Sequence, residues 1–600
     1  MNKSELKDTI NQAAGFQPAD FLIKNVKVLN VVNGDIELSD IAINQKTGMI
    51  LGVYDDGRKG IEEFDAKGEL YAVPGFIDCH VHLESSEVTP QIFEEAALMS
   101  GTTTAFCDPH EMSNVLGAEA LRYFIECSEN MVMDLMVGLS SCVPATGLET
   151  SGANLNADAL AQFIDHPNVY GVAEFMSIGD VMDQEDGALD KLVKFADRNI
   201  DGHMPEGVTP AMMNVLKCCG IRNCHENTDL GHAQEKLKRG ISVFIREGTV
   251  CKDAKILTKL VNGFQSPFLG LCTDDRNPVD IANEGHVDHI IRTLISEGAD
   301  PAAVYRTASW SAANHFGMAG RNIKGWKPRG MIAADNLADI VLLKDLEKCE
   351  IHSVYKSGKK VTQDSFKHRP KVDPVGYNSV KIPPIKPEFL KRTGDNINVP
   401  VIGLIKDQLV TTYKEITLPQ GPDGTLLADP ANDILYVSVI ERHGRSGNIS
   451  RGFVKGFGIQ DGAIAVSVGH DSHNITVVGA THEDMTAAVN RVIELGGGKV
   501  AVKNGNILGE LALPVAGLMS DKTDLAQTAR DQIALSDGVA KLGSHWKDPT
   551  MMLSFLPLSV IGDAKITDFG ITRFNPAEGY MKPTLIDDQR AQNQPLSPDP

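Results

Sequence analysis

One stretch decides the fold of this chain, and it runs Pro74-Gly75-Phe76-Ile77-Asp78-Cys79-His80-Val81-His82-Leu83-Glu84-Ser85-Ser86. The apolar run from Val73 to Cys79 predicts a buried strand, with Pro74 near its start, where a missing N–H is tolerated. Residues two apart on a strand point to the same side, so the rings of His80 and His82 are expected to lie together. Two imidazoles at the carboxyl end of a strand predict part of a metal site. The alternative is a pair of solvated or core histidines.

Composition limits the classes of protein that this chain can be. It has 600 residues, with 57 basic and 79 acidic side chains and a formal net charge of −22. This length predicts two or three domains, and the negative charge argues against a nucleic acid or an anionic membrane as partner. No apolar run reaches the roughly 18 residues of a membrane span, and no signal peptide is visible after Met1. Ten scattered cysteines predict reduced thiols and therefore a cytoplasmic protein.

Residues 74–325 alternate strand-like and helix-like segments, which predicts a parallel sheet. The eight strand candidates end near Cys79, Cys107, Ser141, Glu174, His203, His225, Arg246 and Thr273. Eight strand–helix units in about 250 residues fit a (β/α)8 barrel, in which catalytic groups follow the carboxyl ends of the strands. Shorter β-like segments precede the barrel within 1–73 and follow it within 331–363.

A third region follows a segment rich in Pro and Lys at 364–398, which we interpret as a linker. Between 399 and 585, strand-like runs at 462–470 and 474–479 precede a helix that begins after Thr481, which predicts an α+β domain. Residues 586–600 are expected to be a disordered tail.

Polar residues follow the predicted barrel strands where each strand ends. The strings are Asp108-Pro-His-Glu111, Gly171-Val-Ala-Glu174, Asp201-Gly-His203, Asn223-Cys-His-Glu226 and Cys272-Thr-Asp-Asp-Arg-Asn277. Solvation at a loop start explains any one of these residues. It does not explain a set that, with His80 and His82, places His, His, Glu, His, His and Asp in barrel order.

The string that ends in His-x-His resembles the metal-binding signature of the amidohydrolase superfamily. Further strings are similar to the bacterial adenine deaminases of that superfamily. They are the strand ends above together with Ser140-Ser-Cys-Val-Pro-Ala145, Ile245-Arg-Glu-Gly248, Gly285-His-Val-Asp288, Leu435-Tyr-Val-Ser-Val-Ile-Glu-Arg442, Gly469-His-Asp-Ser-His-Asn474 and Leu513-Pro-Val-Ala-Gly-Leu-Met-Ser520. The resemblance covers about residues 15–585. It implies a distorted (β/α)8 metal-dependent hydrolase barrel at 74–330, a β-sandwich built from both flanking segments, and an additional C-terminal α+β domain.

The resemblance implies a centre of two divalent ions, which about 3.5–4 Å apart can activate water near neutral pH. His80, His82 and Asp274 are expected to bind one ion, and His203 and His225 the other. A bridging carboxylate is then needed. Many amidohydrolases use a carboxylated lysine after the fourth strand, but here that strand end supplies Glu174. These ligands suit Mn(II), Fe(II) or Zn(II), and the resemblance favours Mn(II).

The implied reaction is hydrolysis of adenine to hypoxanthine and ammonia, in purine salvage or adenine catabolism. Asp274 is expected to move a proton from the nucleophile to the leaving amine, and Glu111 to protonate a ring nitrogen. The candidates for substrate binding are Asp275, His110, Arg246 and His473. Arg246 could instead form a structural ion pair, and Glu226 is expected to support His225 rather than bind an ion.

Three points stay open at the level of sequence. The chain could act on another cyclic amide or amidine, or it could be an amidohydrolase-like assembly protein, which is expected to lose metal ligands. The turn at 470–474 could lie on the surface or could cover the barrel mouth. A homo-oligomer with no partner other than its small substrate is expected.

Overall fold

The computed structural model describes residues 2–320, 325–395, 397–405, 408–574 and 582–592. The chain opens with one helix and five strands. They are α1 (Lys3–Ala13), β1 (Ala19–Leu29), β2 (Ile36–Asn44), β3 (Met49–Tyr54), β4 (Gly60–Asp65) and β5 (Tyr71–Pro74). Asn2 caps α1, because its side chain accepts from the backbone N–H of Glu5 and the Glu5 carboxylate accepts from that of Asn2.

The single strand predicted from Val73 to Cys79 is two strands. β5 ends at Pro74 and pairs with β1. After one intervening residue, β6 (Phe76–Val81) begins and pairs with the next parallel strand. Gly75 lies at the break, where an added Cβ would come 2.7 Å from Cγ2 of Thr103. The chain therefore changes sheets at a glycine, where no side chain obstructs the close approach of Thr103.

Seven further strands follow β6 in parallel order. They are β7 (Thr102–Cys107), β8 (Asp134–Leu139), β9 (Val169–Phe175), β10 (Asn199–Gly202), β11 (Asn223–Cys224), β12 (Ser242–Arg246) and β13 (Leu269–Cys272). β6 to β10 form one sheet and β11 to β13 another. Isolated parallel bridges, Ile200 to Ile221 and Val81 to Asp274, join the two sheets at both seams. The carboxyl ends of all eight strands therefore meet on one face.

Helices and short helical turns connect these strands. The helices are α2 (Pro90–Met99), α3 (His110–Leu116), α4 (Ala118–Glu129), α5 (Ala157–Ala161), α6 (Ile178–Met182), α7 (Asp186–Lys194), α8 (Pro210–Cys218), α9 (Leu230–Lys238), α10 (Ala254–Leu257), α11 (Pro278–Glu284), α12 (Val287–Ser296), α13 (Pro301–Arg306) and α14 (Ala312–His315). In α12, Val287, Ile290, Ile291 and Leu294 are buried at helical spacing, so one stripe of the helix faces the core.

Both segments that flank the barrel enter the same sheet. The downstream strands are β14 (Ile340–Asp345), β15 (Glu350–Lys356) and β16 (Lys359–Lys360), and β14 runs antiparallel to β5. With β1 to β5 they make an eight-stranded sheet. Lys356 ties this sheet to the parallel strands, because its Nζ lies 2.7 Å from Asp339 and 2.6 Å from Asp134 at the start of β8.

The segment predicted as a linker at 364–398 is packed against both neighbours. It contains most of α15 (Gln363–Lys367) and a 3-10 turn at Pro387–Leu390. Arg369 pairs with Glu94 at 2.7 Å and Glu95 at 2.8 Å on α2, and Ile385 is buried in the core of the third region. Composition indicated a connection, but these side chains fix it in place.

The third region is built on a second eight-stranded sheet. Its elements are β17 (Asn398–Leu404), β18 (Thr411–Thr417), β19 (Ile434–Ile440), β20 (Ile449–Lys455), β21 (Ala463–Val466), β22 (Ile475–Gly479), α16 (His482–Glu494), β23 (Gly498–Lys503), β24 (Asn506–Ala512), α17 (Leu525–Ala540), α18 (Pro549–Ser554), β25 (Ala564–Thr567), β26 (Gly570–Phe574) and β27 (Pro583–Asp588). β17 to β24 form this sheet, and β25 to β27 form a smaller one. Alternate residues of β19 face opposite sides, with Tyr436 in a core shared with α16 and Val437 in one shared with α17 and α18.

The disordered tail predicted from residue 586 begins too early. Residues 586–588 complete β27, which pairs with β26, and Gln589 binds the backbone of Arg451 through its side chain. These bonds hold the segment that composition alone marks as a tail, and residues 593–600 lie outside the described part of the chain.

In the described residues, no helix combines the length and apolar character needed to cross a membrane. The ten cysteines, all within described segments, are free thiols.

Candidate metal centre and substrate cavity

Six side chains from five strand ends converge at the carboxyl face of the parallel strands. They are His80 and His82 from β6, Glu174 in β9, His203 after β10, His225 after β11 and Asp274 after β13. The seam between Val81 and Asp274 brings the first and last strands together. As a result, Nε2 of His80 and Nε2 of His82 lie 3.1 Å apart, and both lie within 3.5 Å of Oδ1 of Asp274.

Glu174 faces two groups of imidazoles with its two oxygens. Oε1 lies 3.3 Å from Nε2 of His82, whereas Oε2 lies 2.6 Å from Nδ1 of His203 and 3.4 Å from Nε2 of His225. Burial alone would raise the pKa of Glu174, but the neighbouring imidazoles, His203 first, hold it well below its usual value. One carboxylate therefore joins the two groups of ligand atoms.

The donor set of this centre suits a cation. Nδ1 of His82 lies 3.1 Å from the backbone carbonyl of Asp108, so Nδ1 donates to that carbonyl and Nε2 is the ring nitrogen turned toward the centre. Nε2 faces Oδ1 of Asp274 at 3.1 Å and Oε1 of Glu174 at 3.3 Å, both of which are acceptors. Buried acceptors that face each other need a positive charge between them. Nε2 of His203 and Nδ1 of His80 have no partner among the described atoms.

Arg246 binds three carboxylates. Its Nη1 lies 3.0 Å from Oδ2 of Asp274, its Nε lies 3.2 Å from Asp253, and both of its terminal nitrogens contact Glu226. Burial raises the pKa of Asp274, but the hydrogen bond with His82 and the Arg246 guanidinium together hold it well below its usual value. The ion-pair alternative for Arg246 thus describes its contacts better than the substrate-binding prediction. Glu226 also lies 3.6 Å from Nε2 of His225, beside the ligand group.

Glu111 is held between two histidines of the third region. Its Oε1 contacts Nδ1 of His470, its Oε2 contacts Nε2 of His473, and Nε2 of His110 lies 3.5 Å from Oε1. Burial would raise the pKa of Glu111, but the charges of these histidines hold it well below its usual value. In the same way, burial lowers the pKa of His470 but Glu111 outweighs it and raises that pKa to about 9.

The substrate-binding prediction for His473 is wrong in its geometry. The ring is fully buried and is absent from the cavity wall, because Nε2 contacts Glu111 and Nδ1 accepts from the backbone N–H of Gly469 at 3.2 Å. His470 and Asp471 are the residues of this turn that line the cavity. His473 therefore acts on Glu111 and not on a ligand in the cavity.

The turn at 470–474 is buried and does not lie on the surface. Phe555 stacks on the His470 ring, with ring centroids 4.4 Å apart and planes 6° apart. The fully buried Arg442 donates to the carbonyl of His473 and, at 2.9 Å, to both the hydroxyl of Ser379 and the carbonyl of Ala516. The third region thus fixes this turn over the carboxyl face of the strands.

A cavity of about 810 Å³ lies between the strand ends and the third region. His110, Glu111 and Asp275 line it beside the metal-ligand candidates, and Asp275 accepts a hydrogen bond from the Ser85 hydroxyl. Apolar side chains of the third region form the facing wall. They are Leu409, Val410, Phe555, Leu558, Val560, Ile561 and Phe574.

Several side chains at the site were missed from sequence. Asp108 accepts from Nδ1 of His110 at 2.8 Å, and Asp471 lies 3.6 Å from Nε2 of His110. Both lie in polar strings that the sequence analysis quotes, so their position beside histidines was the available signal. Asp253 and Phe555 carry no local signal, because only the tertiary fold brings them to Arg246 and His470.

Comparison with known proteins gives two family matches and close relatives. The amidohydrolase family model matches residues 71–361, and the adenine deaminase C-terminal domain model matches residues 408–578. An adenine deaminase of Gluconobacter oxydans is 47% identical over 563 residues, covering 94% of this chain and 97% of the relative. An adenine deaminase of Brucella anthropi is 43% identical over 94% of this chain and 98% of the relative. Adenine deaminase 1 of Agrobacterium fabrum is 43% identical over 95% and 96%.

Proposed function

Because the chain belongs to the adenine deaminase family of the amidohydrolases, we propose that it hydrolyses adenine to hypoxanthine and ammonia at the centre built around Glu174. The observation that carries the proposal is the position of that carboxylate. Its two oxygens face separate groups of histidines, which is the arrangement that a bridge between two ions needs.

We propose two divalent ions, with Mn(II) first and Fe(II) or Zn(II) as alternatives. His80, His82 and Asp274 would hold one ion, His203 and His225 the other, and Glu174 would bridge them. When bound, the ions would supply the Lewis acidity that makes water a nucleophile near neutral pH. The convergent lone pairs of His82, Glu174 and Asp274 support this assignment.

Asp274 is the proposed proton carrier. Arg246 binds Oδ2 of Asp274, which leaves Oδ1 turned toward His80 and His82, where bound ions would activate water. A carboxylate oxygen in that position could take a proton from water and pass it to the leaving amine.

Glu111 is the group proposed to protonate a ring nitrogen of the purine. It lines the cavity, and His470 and His473 fix both of its oxygens, so its direction is set before a substrate arrives. His110 and Asp275 line the same cavity and are proposed to bind the polar edges of the purine. The apolar wall from the third region would exclude water around a flat ring and strengthen each of these contacts.

The architecture proposed for this function is that of the family. We infer that β6 to β13 form the distorted (β/α)8 barrel, that the sheet of β1–β5 and β14–β16 is the flanking β-sandwich, and that the region from 399 is the C-terminal α+β domain. The two bridges that close the ring of strands and the joint pairing of both flanks support this division. A homo-oligomer stays a prediction.

Ammonia release from a panel of purines and pyrimidines, with the metal-free protein reloaded with Mn(II), tests the proposal. Adenine is expected to be the best substrate, with hypoxanthine formed in equal amount to ammonia. Turnover of a cyclic amide such as dihydroorotate, with none of adenine, would overturn it. Metal-free protein and a Glu174→Gln variant serve as controls and are expected to release little ammonia.

A further inference from the structure

A buried ammonium group lies behind one half of the proposed centre, and the mechanism above does not use it. Lys236 is on α9, and its side chain is fully buried. Its partners among the described residues are two carbonyls, an amide oxygen and a sulfur, and none is a carboxylate. A buried cation with neutral partners is costly, so its position needs an explanation.

The acceptors around Lys236 flank two metal-ligand candidates. Nζ of Lys236 donates to the carbonyl of Met204 at 2.8 Å and to the carbonyl of Glu226, the residues that follow His203 and His225. It also donates to Oδ1 of Asn227 at 3.1 Å and to Sγ of Cys224 at 3.2 Å.

Three further hydrogen bonds extend this network. The backbone N–H of Met204 donates to Sγ of Cys224 at 3.2 Å, and the side chain of Asn227 donates to the carbonyl of Cys224 at 2.9 Å and to that of Phe244 at 3.2 Å. One ammonium group thus fixes the backbone after β10 and around β11, together with the strand that follows. The rings of His203 and His225 project from this fixed backbone.

The other half of the centre has a separate support. His80 and His82 leave β6 and Asp274 follows β13, at the seam where the backbone of Asp274 pairs with that of His80 at 3.0 Å. Among the described residues, Lys236 donates to Met204, Cys224, Glu226 and Asn227, and to none of the residues around this second group of ligands. Its influence on the centre is therefore expected to be one-sided.

We infer that Lys236 is a positioning residue for His203 and His225, and that it sets the affinity of one of the two metal positions but not of the other. This inference rests on the two-ion centre proposed above. Loss of the ammonium would leave the carbonyls of Met204 and Glu226 with only the weak thiol donor of Cys224, at 3.7 and 3.8 Å, so the two loops would relax and the ligand rings would lose their alignment. Residues that orient metal ligands typically change metal affinity by about 10–100-fold.

The test is Mn(II) binding by metal-free protein, measured by equilibrium dialysis and by the electron paramagnetic resonance spectrum of bound Mn(II). In Lys236→Met, one of the two ions is expected to bind about 10–100-fold less tightly, while the other keeps its wild-type affinity. Lys238→Met on the same helix, where the side chain is exposed, is the matched control and is expected to bind both ions normally.

The double variant Lys236→Met with His203→Ala identifies the affected position. Because His203→Ala already removes that position, adding Lys236→Met is expected to leave the affinity of the remaining ion unchanged. Equal weakening of both ions, or two wild-type affinities in Lys236→Met, would overturn the inference. If Lys236→Met does not fold, as judged by circular dichroism, Lys236→Gln is held to the same criterion.

Failure of the proposed function gives a different result. Wild-type protein that binds fewer than two ions, or that releases no ammonia from adenine when loaded, contradicts the two-ion function itself. Wild-type protein that binds two ions and deaminates adenine, next to a Lys236→Met variant with unchanged affinities, contradicts only the role of Lys236.

Discussion

At the scale of single residues, the parity of a strand predicted that His80 and His82 lie together, and the strand ends with the family resemblance gave the other ligand candidates. His80 and His82 are two residues apart and meet at 3.1 Å, as parity predicts. Contacts that cross between elements were not predictable in this way. Arg246 gathers Glu226, Asp253 and Asp274 from three loops, and no local pattern in the sequence specifies that grouping.

Glu174→Gln tests the bridge. A neutral amide cannot offset two cations, and its nitrogen is a poor ligand, so metal content is expected to fall from two ions per chain to one or fewer. Elemental analysis after dialysis measures it. Glu206→Gln, at another glutamate on the cavity wall, is the control and is expected to keep both ions. Two tightly bound ions in Glu174→Gln would contradict the bridging role.

Asp274→Asn separates proton transfer from metal binding. The amide oxygen can still occupy the position of Oδ1, but the group cannot accept a proton, so kcat is expected to fall by about 10²–10⁴-fold. Steady-state deamination of adenine and metal analysis of the same sample measure both quantities. Asp165→Asn, on the surface beside Arg198, is the control. Near-normal turnover with full metal content would show that another group moves the proton.

At the scale of elements, the turn at 469–474 is the feature that sequence least specified. Two histidines and an aspartate in five residues are equally common on a surface, and only packing against Glu111 and Phe555 buries them here. By contrast, the hairpin between β23 and β24 turns at Asn504-Gly505, a pair that signals such a turn in sequence because Asn and Gly tolerate the positive φ that both adopt here.

His470→Gln tests the contribution of this turn to stability through its pH dependence. The pKa of His470 is raised to about 9, above its usual value of about 6.5. The stabilising contact with Glu111 is therefore fully present below about pH 6.5 and is lost as pH rises through 9. The difference in melting temperature between wild type and variant is expected to be largest near pH 6 and to shrink above pH 9. A difference that stays constant from pH 6 to 10 would contradict this charge pairing.

At the scale of the whole molecule, periodicity indicated the parallel strands better than composition indicated the connecting and terminal segments. The eight parallel strands follow a regular rhythm of apolar runs, so they could be counted from sequence. The predictions for the linker and the tail differ from the structure. Composition indicates that these segments are polar, but it does not indicate which residues Arg369 and Gln589 contact.

Metal removal tests how far the centre stabilises the parallel strands that surround it. Ions that bind only the folded protein add about 2.7 kcal/mol at 100 times their dissociation constant. Chelation is therefore expected to lower the melting temperature of the domain that holds the centre by about 5–10 °C. Scanning calorimetry of the protein with a chelator, and again after Mn(II) is restored, measures the shift. An unchanged thermogram would show that the ligand set is stable without metal.

The distance along the chain between the ligands and the turn that covers them has a consequence for biosynthesis. All six ligand candidates precede residue 275, whereas the covering turn lies at 469–474. A ribosome that adds about 5–20 residues per second makes that turn about 10–40 s after Asp274. During this interval the turn that covers the ligand candidates does not yet exist. Metal loading can thus precede closure of the site, and the order of translation itself gives the ions a route in.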